Sequence, residues 1–287
     1  MLAWFAFIAC SLIWGSTWLA HKWALVDFTP IGLGSLRFLC AGLLCLLIAR
    51  LTGESFVRRE HLRPLLIAGF IMAGLANVLT AWSLLYIPSG VGAVLQAPIP
   101  VWLALMTLNK EPLSRAGWIA VFLGFLGVAM VMWPSDTGPI DPLAATVCVL
   151  TAGAWSWASL YQRARVHSGG LFANAGTQML VSGVLGTALT PLFGGFTTHG
   201  SVGATAWAAA LYLVVGGSCV AFASYLYLTR VWHPARAGSF AYVNPIVAVL
   251  IGWWLADEAL TTSLIVGMAI IFAAVAVLQV AARPKSV

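Results

Sequence analysis

The chain has 287 residues, of which 61% are hydrophobic and only 8% are charged, and its net charge is +6. Soluble globular proteins carry about 25% charged residues, so this composition, with a mean hydropathy of +0.97, excludes a water-soluble enzyme, a nucleic-acid-binding protein and a disordered scaffold. In a membrane protein, an excess of positive charge usually reports orientation rather than an acidic partner. The five cysteines lie in apolar runs without metal-ligand spacing, so we expect neither disulfides nor a metal site.

Ten predominantly apolar stretches are long enough to cross a bilayer core about 30 Å thick, which takes roughly 20 residues per helix. Their approximate boundaries are 2–20, 30–49, 65–86, 89–108, 116–133, 142–162, 171–193, 205–229, 235–256 and 261–281. The first stretch lacks a preceding basic segment, and no polar mature domain follows it, so we interpret it as a retained helix rather than a signal peptide. The fifth and tenth stretches are rich in glycine and poor in polar residues, which indicates packing helices.

Basic residues collect on one side of these ten helices. If the N-terminus is cytoplasmic, twelve of the fourteen Lys and Arg residues fall in cytoplasmic loops or the tail, Lys22 falls in an outer loop and Arg37 lies inside the second helix. The twelve are Arg50, Arg58, Arg59, Arg63, Lys110, Arg115, Arg163, Arg165, Arg230, Arg236, Arg283 and Lys285. Short cytoplasmic loops are enriched in Lys and Arg, so this asymmetry predicts that both termini are cytoplasmic.

The sequence consists of two related halves. A shift of 141 residues, or of 147 after an insertion near residue 230, aligns residues of the same or similar type. The aligned pairs include Trp14 with Trp155, Ser83 with Ser224, Tyr86 with Tyr227, Pro98 with Pro245, and the segment Glu111–Ser114 with Glu258–Thr261. Each half has five helices, an odd number, so the second half crosses the membrane in the opposite sense. We therefore expect an all-α integral membrane protein with ten transmembrane helices as two inverted five-helix repeats, 1–134 and 140–283, and both termini cytoplasmic.

This predicted architecture is typical of transporters that alternate access around a site near the membrane midplane. All eight acidic residues and all five histidines lie in loops or near helix ends. Carriers coupled to protons generally need a titratable group within the membrane, so the sequence favours facilitative transport or exchange over proton antiport. It contains no motif for ATP hydrolysis or for the familiar hydrolytic enzymes, so we expect neither an enzymatic activity nor a cofactor.

Polar and aromatic side chains inside the helices indicate a substrate cavity. Helical spacing places Asn77 and Thr80 on one face of the third helix, and Ser218 and Tyr225 on the equivalent face of the eighth. The candidate substrate-binding residues are Trp14, Trp18, Asn77, Thr80, Gln96, Trp155, Ser159, Ser218, Tyr225 and Asn244. Prolines remove backbone hydrogen bonds, so we expect bends or breaks at Pro98, Pro100 and Pro245. The alternative roles are lipid-interface anchoring for the tryptophans and an interhelical hydrogen bond for Asn77.

Arg37 is the only formal charge well inside a predicted helix, roughly 10 Å from its outer end at 1.5 Å per residue. One interpretation is a structural arginine that extends toward the interface or donates to helix carbonyls. The other is a counter-charge for an anionic group such as a substrate carboxylate. Its equivalent in the second half, Gln178, keeps the hydrogen-bonding capacity without the charge, so both interpretations stay open.

Several short motifs recur along both halves. They are Trp14-Gly15-Ser16, Pro30, Leu36-Arg37-Phe38, Tyr86, Pro98 and Glu111-x-Leu113-Ser114 in the first half, and Trp155, Tyr227, Pro245 and Glu258-x-Leu260-Thr261 in the second. With them the chain resembles EamA-type members of the drug/metabolite transporter superfamily. The resemblance implies ten helices, an inner-membrane location and export of small metabolites, often amino acids. It also implies a layout similar to an aromatic amino acid exporter whose cavity is formed by helices 1, 3, 4, 6, 8 and 9.

These features together predict a bacterial inner-membrane carrier that exports small metabolites, above all amino acids or related compounds, by alternating access without a central proton-binding carboxylate. Efflux of amphipathic drugs is the alternative within transport. A membrane receptor or a lipid-processing protein is the alternative from another class, and the absence of clustered catalytic polar residues argues against it. The expected partners are a small-molecule substrate and the lipid bilayer, with no nucleic acid, and the sequence is compatible with a monomer.

Overall fold

The computed structural model describes residues 1–109, 113–133, 140–232 and 240–281. Within these ranges the chain forms helices joined by turns and short loops, with an isolated antiparallel bridge between Phe28 and Thr197 and no strand. The predicted all-α class is therefore confirmed for this part of the chain. The sequence predictions that concern Lys110, Glu111, Arg236, Arg283 and Lys285 fall outside the described residues.

The helices are numbered here by continuous helical stretch. They are α1 (Leu2–Ala24), α2 (Pro30–Leu51), α3 (Arg59–Gly69, Phe70–Ala76 and Asn77–Ser83), α4 (Ser89–Gln96 and Ile99–Met106), α5 (Arg115–Val131), α6 (Pro142–Arg165), α7 (Leu171–Leu189, then a 3-10 turn over Thr190–Phe193), α8 (Ala204–Tyr212, Leu213–Val220 and Ala221–Val231), α9 (Phe240–Ala256) and α10 (Thr262–Ala281). Among the described residues, α1, α2, α3, α4, α6 and α8 contain helices long and apolar enough to cross a membrane. Shorter apolar helices lie in α5, α9 and α10.

The first turns of α3 were not part of the predicted span. The helix begins at Arg59, six residues before the predicted start at residue 65. Its opening turns carry Glu60, His61 and Arg63, which a search for uncharged runs leaves out. The predicted and observed starts differ because the prediction required apolar residues, whereas charged residues such as Arg and Glu form an α-helix about as readily as Leu does.

The prolines of α4 and α9 have different effects. α4 is interrupted between Gln96 and Ile99, where Pro98 precedes the second segment and Pro100 occupies one of its first two positions. A missing N–H is tolerated at such a position, because the first N–H groups of a helix have no intrahelical partner. In α9, by contrast, the helix continues through Pro245 without interruption.

Two segments depart from α-helical geometry in a way that the sequence did not predict. Phe70–Ala76 in α3 and Leu213–Val220 in α8 are π-helical. The internal alignment makes α3 and α8 equivalent helices, and both segments lie in their middle parts. Such wider turns are rare and occur frequently at functional sites.

Glycines allow two pairs of helices to pack closely. A Cβ atom added at Gly42 of α2 would lie 2.7 Å from the backbone nitrogen of Leu180 in α7. One added at Gly127 of α5 would lie 3.0 Å from the backbone nitrogen of Ile271 in α10. Both distances are shorter than a normal carbon contact, so these backbones approach as they do because no side chain separates them.

Candidate functional site

A central cavity of about 160 Å³ lies between α1, α2, α3, α4, α6, α7, α8 and α9. Among the described residues, α5 and α10 contribute nothing to its walls, in keeping with the packing role predicted for them. A buried water takes up about 10–15 Å³ of cavity volume measured in this way, so the central cavity can hold roughly ten waters or a small metabolite. Its position inside the helix assembly makes it the candidate substrate site.

Most of the candidate residues lie on the walls of the central cavity. They are Trp14, Trp18, Arg37, Asn77, Thr80, Gln96, Trp155, Ser218 and Asn244. Pro245 lines a smaller adjacent cavity of about 60 Å³ that shares Trp18, Gln96 and Asn244 with the first. Pro98 and Pro100 line neither cavity and instead set the break in α4. Residues far apart in sequence thus meet at one place.

Two candidate residues, Ser159 and Tyr225, are not on these walls. The ring of Tyr225 packs at centroid distances of 5.5 Å from Trp14, 6.4 Å from Phe222 and 5.3 Å from Phe240. Tyr225 follows Ser218 by seven residues, which is roughly 10 Å along a helix axis. Sharing a helical face therefore did not bring the two side chains to the same depth, and Tyr225 packs against aromatic rings that themselves line the cavity. Ser159 lies one turn beyond Trp155 and is half-buried outside the cavity.

The guanidinium of Arg37 is held by side chains of three other helices. Its Nε donates to Ser218 Oγ at 2.8 Å, and its Nη1 donates to His21 Nε2 at 2.9 Å and to Asn77 Oδ1 at 3.3 Å. His21 Nδ1 lies 2.7 Å from the carbonyl oxygen of Thr17, which can only accept. His21 is therefore the neutral tautomer with its proton on Nδ1, and its Nε2 accepts from Arg37.

Arg37 is buried, and its hydrogen bonds join α2 to three other helices. The residue is only 6% exposed, and among the described residues its guanidinium donates to side chains and not to helix carbonyls. No Asp or Glu lies on the cavity walls described here, and the ion pair found in the described ranges joins Arg58 to Glu60, away from the site. In the described part of the chain, the hydrogen-bond partners of this buried cation are neutral groups.

A second polar cluster joins α3, α4 and α6. Gln96 Nε2 donates to Thr80 Oγ1 at 2.8 Å and to Thr151 Oγ1 at 2.9 Å, and the two hydroxyls lie 2.9 Å apart. The break after Gln96 ends the first segment of α4 at this level of the cavity. The cluster gives the wall hydrogen-bonding groups without a charge.

Three tryptophans, Trp14, Trp18 and Trp155, line the central cavity. Trp14 Nε1 donates to the carbonyl oxygen of Gly217 at 2.9 Å. Gly217 belongs to the π-helical segment of α8, and its neighbour Ser218 is a partner of Arg37. The wider turn therefore offers both a carbonyl and a hydroxyl to the cavity.

The sequence analysis missed several lining residues. His21 lies in the last turn of α1, near the helix end as expected, but its place on the cavity wall was not predicted. Its spacing from Trp14, Thr17 and Trp18 is that of one helical face, and this signal could have identified it. Other lining residues missed include Phe38, Met72, Thr151, Gln178, Met179 and Phe240.

A carboxylate links the second half of the chain to the first. Glu258, in the loop after α9, accepts hydrogen bonds from the backbone N–H groups of Ser89 at 2.7 Å and Gly90 at 2.9 Å. These two residues begin α4, whose first N–H groups lack partners inside the helix. The carboxylate also lies at the positive end of the helix dipole, which stabilises a negative charge there.

Comparison with known proteins places the chain in a family. The sequence profile of the EamA-like transporter family matches residues 1–133 and 142–280. The chain is 30% identical over 261 residues to the uncharacterized inner membrane transporter YedA of Escherichia coli strain K12, and the match covers 89% of this chain and 83% of that protein. It is 21% identical over 272 residues to the uncharacterized transporter YoaV of Bacillus subtilis, and that match covers 92% of each protein. A crystal structure with 19% identity shares the fold, with a TM-score of 0.68 and 99% of each chain covered. These matches confirm the resemblance found in the sequence, and the chain belongs to the EamA-like transporter family as a multi-pass transporter of the inner membrane.

Proposed function

We propose that this transporter exports small organic metabolites, with amino acids and related compounds as its substrates, by alternating access of the central cavity. The observation that carries the proposal is a buried Arg37 on the cavity wall, whose hydrogen-bond partners among the described residues are all neutral side chains. A buried charge without a counter-ion is unfavourable, and in membrane proteins such groups mark substrate pathways. A carboxylate-bearing substrate would supply the missing negative charge.

The proposed architecture is ten transmembrane helices in two inverted repeats, 1–134 and 140–283, with both termini cytoplasmic. Three observations support it. The family profile matches two successive segments of similar length, the equivalent helices α2 and α7 pack on each other, as do α5 and α10, and α3 and α8 carry their π-helical segments at related positions. Residues from both halves line the cavity, as expected for a site at a repeat interface.

In the alternating-access cycle, the contact of Glu258 with the start of α4 closes the periplasmic side. It joins the two repeats near the outer ends of their helices in the proposed topology. Glu111, the residue equivalent to Glu258 in the internal alignment, would have the corresponding role on the cytoplasmic side. The cycle would then make one such contact while it releases the other.

Facilitative transport or exchange is the proposed energetic mode. The described walls of the cavity carry no Asp or Glu, and His21 serves there as a neutral acceptor for Arg37. The described walls therefore offer no carboxylate that could carry a proton through the cycle.

Efflux of amphipathic drugs is a second candidate function. The aromatic rings of Trp14, Trp155, Phe222 and Phe240 on the cavity walls favour it, because they suit flat apolar ligands. Arg37 argues against the cationic members of that class.

Uptake into proteoliposomes tests the proposal. Purified protein would be reconstituted, loaded with unlabelled amino acids and exposed outside to each labelled amino acid in turn. We expect exchange of at least one amino acid well above that of empty liposomes. Exchange of none of them, together with transport of an amphipathic dye, would favour the efflux function instead.

A further inference from the structure

We propose that the carboxylate is the group this site requires in its substrate and that the substrate's ammonium group is dispensable. The central cavity would then be a site for amphipathic organic monoanions, of which amino acids are one kind. This inference rests on the proposed transport function and specifies which part of the substrate the site recognises. It follows from the distribution of charge, donors and apolar surface around Arg37.

The charge on the walls has one sign. Arg37 is the only Asp, Glu, Lys or Arg residue among the described lining residues. The histidine next to it is neutral, because its Nδ1 donates to the carbonyl oxygen of Thr17 and its Nε2 accepts from Arg37. A ligand with one negative charge therefore balances the site, whereas a cation adds to an uncompensated positive charge.

The donors of Arg37 are only partly used. A guanidinium has five N–H groups. Within the described part of the chain, Nε and Nη1 are hydrogen-bonded to Ser218, His21 and Asn77, and Nη2 forms no hydrogen bond. These three partners fix the orientation of the side chain and leave the Nη2 donors for a ligand. A carboxylate oxygen is the acceptor that such donors bind most strongly.

An ammonium group would find weaker partners. Asn77 Oδ1 already accepts from Arg37, and the remaining candidates include the hydroxyls of Thr80 and Thr151, which bond to each other and to Gln96. The faces of the tryptophans could attract a cation, but they bind an uncharged apolar group as well. The described walls thus offer an ammonium group neutral acceptors, such as the amide oxygens of Gln96 and Gln178, but no carboxylate.

The apolar part of the substrate would have matching surface beside the arginine. Phe38, Met72, Met179 and Phe222 line the cavity together with Arg37, and the Phe38 ring lies 4.9 Å from the guanidinium carbon. A methionine can adapt to ligands of different shape because its side chain is unbranched and flexible. The site is therefore built for a carboxylate joined to an apolar group of variable outline.

Three matched compounds separate the carboxylate from the ammonium group: phenylalanine, 3-phenylpropionate, which lacks the amine, and phenethylamine, which lacks the carboxylate. Their binding to the purified full-length transporter would be measured by calorimetry. We expect 3-phenylpropionate to bind within about threefold of phenylalanine, and phenethylamine to bind at least about tenfold more weakly, a difference of 1.4 kcal/mol or more. Equal or tighter binding of phenethylamine, or binding of phenylalanine without 3-phenylpropionate, would overturn the inference, and so would binding of none of the three.

Variants locate the effect at Arg37. Arg37→Gln should abolish the preference for 3-phenylpropionate over phenethylamine, and Arg37→Lys should retain part of it. Lys22→Gln is the matched control, because Lys22 is a cation in the last turn of α1 that does not line the cavity. A preference that survives in Arg37→Gln contradicts the inference. If Arg37→Gln does not fold, the three-compound comparison on the unmodified protein and on Arg37→Lys still decides. Exchange of labelled amino acids is measured separately, so failure of the ligand preference does not imply failure of transport.

Discussion

Replacing Glu258 with glutamine should loosen the contact between the two halves of the transporter. The carboxylate accepts from the N–H groups of Ser89 and Gly90 at 2.7 and 2.9 Å. Hydrogen bonds to charged groups contribute about 1.5–3 kcal/mol, and a negative charge at a helix N-terminus contributes about 0.3–1 kcal/mol. Glutamine keeps one neutral acceptor, so we expect a net loss of about 1–2 kcal/mol, which corresponds to a factor of about 5–30 in the equilibrium between the closed and open arrangements.

Thiol accessibility measures this shift. A cysteine at Thr80 on the cavity wall, in a protein without its native cysteines, would be labelled by a membrane-impermeant reagent from the periplasmic side. The labelling rate should rise about 5–30-fold in Glu258→Gln, since the free-energy change sets the open population. The control is Asp257→Asn, which removes the neighbouring charge and which, in the described part of the chain, loses no side-chain hydrogen bond. Labelling at the unmodified rate in Glu258→Gln, or an equal rise in the control, would refute the assignment of this contact to closure.

Three further predictions concern the site, the packing and the topology. Asn77→Ala should insert and purify normally, because interhelical hydrogen bonds contribute only about 0.6 kcal/mol to stability. It should bind substrate more weakly, because the substitution removes the Asn77 Oδ1 acceptor that lies 3.3 Å from Arg37 Nη1 on the cavity wall. Unchanged affinity in a binding assay would contradict this prediction. Gly127→Ala should lower the thermal stability in detergent by about 1–3 kcal/mol, because the added methyl would lie 2.6 Å from Ile271 Cγ1 and 2.9 Å from the carbonyl oxygen of Gly267. Gly74→Ala, whose nearest contacts are 3.4 Å away, is its control, and equal stability losses would count against the packing argument. A cysteine introduced at Arg58 should react with impermeant reagent only from the cytoplasmic side, and labelling from the periplasm would reverse the proposed orientation.

The helices could be predicted because a membrane imposes one simple requirement on them. A span must be apolar over about 20 residues, and this pattern is readable without any knowledge of packing. The same criterion fails at Arg59 and Arg63, which are exposed charged residues in the first turns of α3. It also carries no signal for the π-helical segments, whose sequences consist of apolar and small residues like those around them.

The site could be predicted in part because polar residues inside membranes are rare and usually functional. Asn77, Gln96 and Ser218 were found in this way and line the cavity. Tyr225 does not line the cavity, because helical periodicity gives the face of a side chain and not its depth. The partners of Arg37 come from three other helices, and only the tertiary structure brings them to the guanidinium.

The central claim is that the cavity around Arg37 carries carboxylate-bearing metabolites across the membrane. The most direct test is counterflow in proteoliposomes, in which labelled substrate accumulates against unlabelled substrate inside, measured for the unmodified protein, Arg37→Gln and Lys22→Gln at equal reconstituted amounts. We expect accumulation by the unmodified protein and by Lys22→Gln, and accumulation by Arg37→Gln no higher than in empty liposomes. Accumulation by Arg37→Gln at the unmodified rate would contradict the central claim.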